Sequence, residues 1–109
     1  MDNLVYWIWL SLSCTVGTGT FPKLLEKFRD AKEVYDADEY SIIKCLGPKL
    51  SDRAYLVNKD LEKAEEIYAF CKKFNVGIVT YGDDRYPEAL RKIQIPPVLL
   101  YYRGNNLIS

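Results

Sequence analysis

The chain of 109 residues contains no histidine, and its three cysteines, Cys14, Cys45 and Cys71, stand far apart with no Cys-x-x-Cys pair. Zinc sites and histidine-based acid–base chemistry need ligands or bases that are therefore missing, and no metal or other cofactor is expected. An odd number of cysteines, each in apolar surroundings, reads as reduced core thiols in a cytoplasmic protein. There is no Ser/His/Asp set, no P-loop and no Gly-x-Gly-x-x-Gly, so the chain is not expected to be an enzyme. Net charge is also lacking: 15 basic residues balance 15 acidic ones. Any grip on a polyanion has to come from a local cluster. Nor does any apolar run approach the roughly 20 residues that span a bilayer. The first run, Leu4 to Leu12, follows Asp2 rather than a basic residue and lacks a small-x-small cleavage site, so it reads as a buried helix, not a signal peptide.

What is present is a folding composition, 49% apolar and 14% aromatic with 28% charged. A chain of this size builds one compact core, or one domain with a piece of another. The Leu4 to Cys14 stretch is apolar all round and predicts a central helix, with Trp7 and Trp9 facing different neighbours. A turn at Gly17-Thr18-Gly19 follows. Thr20 is placed as N-cap, with Pro22 just inside a second helix that runs to about Phe28. Shorter helices are expected over Ala31 to Tyr35 and from Asp38 to Leu46, the latter stopped by Gly47-Pro48. Leu61, Ala64, Tyr68 and Cys71 recur at helical spacing after a break at Asn58, and Asn75 closes that helix.

From Val76 the pattern changes. A strand to Tyr81 turns at Gly82-Asp83-Asp84, passes a short helix with Pro87 at its first position, and returns through Pro96-Pro97 to a strand over Val98 to Tyr102. Read as a crossover, this unit belongs to a larger parallel sheet completed by chain outside this sequence. The expected architecture is mostly α with a small α/β tail: a helical bundle over residues 1–75, then a β-α-β start of an incomplete Rossmann-like sheet over 76–109. An unpaired strand edge would either pack onto the bundle or pair with a second copy in a homodimer.

The anchors Tyr86, Pro87, Leu90, Pro96, Pro97, Leu99, Tyr101 and Gly104 form the pattern Tyr-Pro-x-x-Leu followed by Pro-Pro-x-Leu-x-Tyr-x-x-Gly. This segment resembles the DNA-processing protein A (DprA/Smf) family where it leads into the Rossmann-like domain, and the helical region before it is similar more loosely. The resemblance implies a cytoplasmic factor that binds single-stranded DNA in natural transformation and helps load the strand-exchange recombinase. It implies a sterile-alpha-motif-like or helix-hairpin-helix-like N-terminal bundle that is itself non-catalytic, with DNA held mainly by a downstream domain. Possible partners are DNA, a recombinase or another competence protein, and no membrane.

Three sets of residues are candidates for chemistry. Gly17, Thr18, Gly19 and Thr20, followed by Lys23 and Lys27, have the form of a helix-hairpin-helix phosphate cradle; a plain tight turn with solvated lysines fits the same residues. Leu46-Gly47-Pro48-Lys49 is a poorer copy, because Pro48 removes an amide. Arg85, Arg91, Lys92 and Arg103 lie near Tyr101 and Tyr102, a mixture that suits single-stranded nucleic acid, although one of two alternating tyrosines has to face the core. Asp83 and Asp84 read as turn residues rather than metal ligands. The alternatives to the family reading are a stand-alone helix-hairpin-helix DNA-binding module and a sterile-alpha-motif-like protein-interaction module.

Overall fold

The apolar first helix organises everything after it. In the computed structural model, which describes residues 3–14, 19–47, 56–103 and the backbone of 106–108, α1 (Asn3–Ser13) buries Val5, Trp7, Ile8, Trp9 and Leu10. The two tryptophans serve different neighbours, as expected. Trp9 packs its edge on Tyr35 and donates its indole N–H to the Asn58 carbonyl at 2.9 Å, while Trp7 lies with Phe21, Leu24 and Leu25 of the next helix. The two serine hydroxyls of α1 bond back to the Ile8 and Trp9 carbonyls, which lets Ser13 sit buried at no cost in unsatisfied polar groups.

Helices α2 (Thr20–Lys27), α3 (Ala31–Asp36) and α4 (Glu39–Leu46) follow within a residue or two of their expected bounds. Asp30 and Asp38 cap the last two, accepting from Glu33 N at 2.9 Å and Ser41 N at 2.8 Å. At α2 the expectation needs correcting. The N-cap is Gly19, and Thr20 is the first helical residue, with no exposed surface at all. Its side chain is drawn into the core, and Pro22 falls third in the helix, where the missing N–H costs no helical bond.

Helix α5 (Glu62–Lys73) ends as its sequence suggests. Asn75 takes a left-handed φ of 56°, and the Val76 N–H bonds the Cys71 carbonyl at 2.9 Å, closing the helix and aiming the chain into the sheet. Strands β1 (Gly77–Thr80), β2 (Leu99–Arg103) and β3 (Asn106–Ile108) make a three-stranded sheet in the order β1-β2-β3, with α6 (Glu88–Arg91) between the first two. Both pairings are antiparallel, with Gly77 opposite Tyr102 and Thr80 opposite Leu99. The parallel crossover expected for this unit is thus corrected. A four-residue helix rises only about 6 Å, too little to carry the chain back along β1. The connection instead returns to the end it left, where Tyr81 N bonds Val98 O at 3.0 Å. Pro87 is likewise the N-cap of α6 rather than its first residue.

The sheet is apolar on both faces. Ile78, Val98 and Leu99 join the same buried cluster as α1, so this face of the sheet packs down on the helices. On the other face Val79, Leu100 and Tyr86 form a second small core, edged by Tyr81, Leu90 and Tyr102. Among the described residues, no helix is long and apolar enough to cross a membrane.

Candidate nucleic-acid interface

The turn after β1 is built on Asp83. Its N–H bonds the Thr80 carbonyl, and its carboxylate accepts from the Arg85 N–H at 2.8 Å and from the Arg85 guanidinium at 2.7 Å. These Arg85 bonds hold the Asp83 carboxyl below its usual range. The carboxylate is committed to the turn, as its position in the sequence suggested. Arg91 is equally committed. Its guanidinium lies 4.6 Å from the Tyr81 ring centre and 4.9 Å from that of Tyr86, donates to the Asp83 carbonyl at 2.8 Å and pairs with Glu88 at 3.3 Å. Arg85 keeps one hand outward, donating to the Tyr102 hydroxyl at 3.2 Å.

Tyr102 is the hinge of the site. Its ring lies flat over Gly77 across the strand pair, and a methyl group on Gly77 would fall inside that ring. Cys71, Lys72, Asn75, Val76, Gly77 and Tyr102 line a shallow hollow of about 300 Å³ beside it. The Lys72 ammonium sits 5.4 Å from the Tyr68 ring centre, and the exposed Arg103 ends β2 next to Tyr102. One aromatic ring thus has Lys72 and the Asp83-paired Arg85 beside it, while Arg103, the next residue of the strand, alternates to the face of Tyr101. An aromatic ring with cationic side chains beside it is the composition that suits a stacked base and its phosphodiester, here in a chain whose total charge is zero.

Gly77→Ala tests how the ring is held. The added methyl forces Tyr102 off the strand and away from Arg85, with an expected loss of about 1–3 kcal/mol in unfolding free energy. Urea unfolding followed by circular dichroism measures it, and an unchanged midpoint would mean that the ring is not held there.

The other sequence candidates are scattered. Gly17, Thr18 and Gly104 lie outside the described residues, as do Pro48 and Lys49. Gly19 is exposed, and Lys23 and Lys27 are exposed on α2, but Thr20 is buried. Further along the same basic run, Arg29 pairs with Glu33 at 2.8 Å and Lys32 with Asp36 at 2.6 Å. Those two cations are answered within their own stretch of chain. Arg29 also faces Arg91 across an open cleft of about 530 Å³, but Asp84 and Glu88 line it too, leaving it balanced in charge. Tyr101 points to the bundle on the inner face and Tyr102 to the outer one, which divides the pair as strand alternation requires.

The motif residues Tyr86, Pro87, Leu90, Pro96, Pro97 and Leu99 are divided between the two faces of the sheet, Tyr86 and Leu90 in the outer core and Leu99 in the inner one. Tyr86 donates its hydroxyl to the Pro97 carbonyl at 2.8 Å, Leu90 packs on the outer core, and Pro96 and Leu99 are buried. Sequence reasoning passed over Lys72, Tyr68 and Gly77. The one signal for them was a glycine inside a strand pattern, which marks a close approach by another group. Among the described residues, no group of three or more cysteine, aspartate or glutamate side chains could hold a metal ion. No family model matches the chain, and comparisons with curated proteins and with solved structures find no match.

Proposed function

We propose that this chain is a non-catalytic accessory module of a DNA-processing protein of the DNA-processing protein A type, working on single-stranded DNA and serving recombinase loading in natural transformation. The observation that carries the DNA contact is the Tyr102 ring, laid over Gly77 with Lys72 and Arg85 beside it. The family assignment rests on the motif residues, among which Tyr86 shares the outer core with Leu90 and bonds the Pro97 carbonyl. The apolar faces on both sides of the sheet leave room for further layers of a larger α/β domain, although its antiparallel pairings are not those of a Rossmann-like core. The contact is weak and indifferent to sequence, because stacking on one ring and phosphate pairing read no base edges.

Fluorescence anisotropy with a labelled oligothymidine and a matched duplex, at two salt concentrations, tests this reading. Single strands are expected to bind the more tightly, with affinity falling as salt rises. Stacking is worth about 1–3 kcal/mol per base, so Tyr102→Ala is expected to weaken binding by roughly 5- to 150-fold, and Lys72→Glu to weaken it as well. Binding lost in Lys23→Glu but kept in Tyr102→Ala would move the site to the α1–α2 hairpin. No binding to either strand form would leave a protein-interaction module.

A further inference from the structure

Helix α5 carries an aromatic pair that the fold leaves in water. Phe70 and Phe74 are 57% and 44% exposed, and their rings pack on each other with centres 4.6 Å apart. Scattered apolar side chains are ordinary on a surface, but two stacked aromatics form a patch. Their neighbours on the helix are charged. At about 100° per residue, Glu66 lies within roughly 40° of Phe70 and Lys73 within roughly 60°, one turn before it and one turn after. Both are exposed, and the Lys73 ammonium sits 5.5 Å from the Phe74 ring centre.

This order of charge has a direction. The helix opens with Glu62 and Glu65 in its first turn and closes with Lys72 and Lys73 in its last. Two such helices side by side in parallel would face like charges across the contact. Reversing one of them sets each acidic end against the other's basic end and opposes the helix dipoles favourably. A surface complementary to itself under a two-fold rotation is what an isologous dimer needs.

We infer that the Phe70–Phe74 face of α5 is a self-association surface. Two copies pack α5 antiparallel about a two-fold axis near Phe70. The four phenylalanines fill the centre, and Glu66 of each copy pairs with Lys73 of the other. Lys72 projects roughly 160° away from Phe70 around the helix, so the contact leaves the surface beside Gly77 and Tyr102 open. A dimer then offers two such surfaces on one particle, and a strand that reaches both is held by avidity. The dimer contact itself does not depend on the nucleic-acid reading.

Sedimentation equilibrium of the whole chain at low salt tests the inference. A patch this small gives a weak dimer, with the mass expected to rise from one chain to two across the micromolar to millimolar range, on the order of 10 µM to 1 mM. Phe70→Glu, at an exposed position, is expected to hold the mass at one chain with the circular dichroism spectrum unchanged. Glu66→Lys and Lys73→Glu alone are each expected to raise the dissociation constant about tenfold or more. The double variant, Glu66→Lys with Lys73→Glu, exchanges the partners and should bring it back to within about threefold of the starting value. A single-chain mass at every concentration would overturn the proposal. So would a dimer that survives Phe70→Glu, which places the contact elsewhere, such as an edge of the sheet, or a double variant no better than the single reversals.

Discussion

Tyr86→Ala is expected to lower the unfolding free energy by about 3–5 kcal/mol, the range for removing a large buried aromatic side chain. Tyr86 is 2% exposed and is the one large ring at the centre of the outer core, against Val79 and Leu100. Its loss also strips Arg91 of one of its two aromatic partners and frees the Pro97 carbonyl. Tyr86→Phe isolates the hydroxyl and should cost about 1 kcal/mol. Burial, with Tyr81 nearby, pushes the Tyr86 hydroxyl up to about 12, Arg91 acting in the opposite sense. The raised value means that the folded chain keeps the proton longer than the unfolded one. This contribution is full below pH 10 and is lost as pH rises through about 12, on the order of 2–3 kcal/mol in all. Denaturant melts at pH 9 and pH 12 should converge for Tyr86→Phe once the other tyrosines are allowed for. A Tyr86→Phe protein that keeps the full alkaline loss would remove Tyr86 as its source.

Trp9→Ala should be as costly, about 3–5 kcal/mol, for a different reason. Trp9 is 3% exposed and ties three segments together. Its N–H holds the Asn58 carbonyl, its face lies 5.1 Å from the Lys59 ammonium, and its ring meets Tyr35 at 5.1 Å. Tyr35 completes the knot by donating its hydroxyl to the Lys59 carbonyl at 2.6 Å. Burial there pulls the Lys59 ammonium below its usual range. Small domains have about 5–15 kcal/mol in total, so this one substitution removes a large share of the stability. Urea unfolding at neutral pH gives the number, and a change below about 1 kcal/mol would contradict the role of Trp9 as the link between α1, α3 and the segment before α5.

Helices were legible in the sequence because their ends are chemical. Asp38, Asn75 and Gly47 mark boundaries through side-chain caps and left-handed backbone, and each occupies the position its residue type suggested. Thr20 misled for the same reason: its hydroxyl suits a cap, but burial outweighed that preference. The sense of the strand pairing was not legible, since it turns on where an eighteen-residue stretch, 81–98, brings the chain back, and periodicity says nothing about that. Register was hidden too. Nothing in the sequence announces that Gly77 meets Tyr102, and without that pairing Lys72 looks like one more solvated lysine on α5. The Arg85–Tyr102 contact was half visible, as a basic and aromatic composition without a geometry.

A single strand bound as proposed lies across Tyr102. Amide chemical-shift mapping with an unlabelled oligothymidine reads this residue by residue. Shifts are expected to concentrate at Lys72, Asn75, Gly77, Arg85 and Tyr102, with Lys23 and Lys27 unmoved. Shifts confined to α2 around Lys23 and Lys27, or a spectrum unchanged at saturating strand, would contradict it.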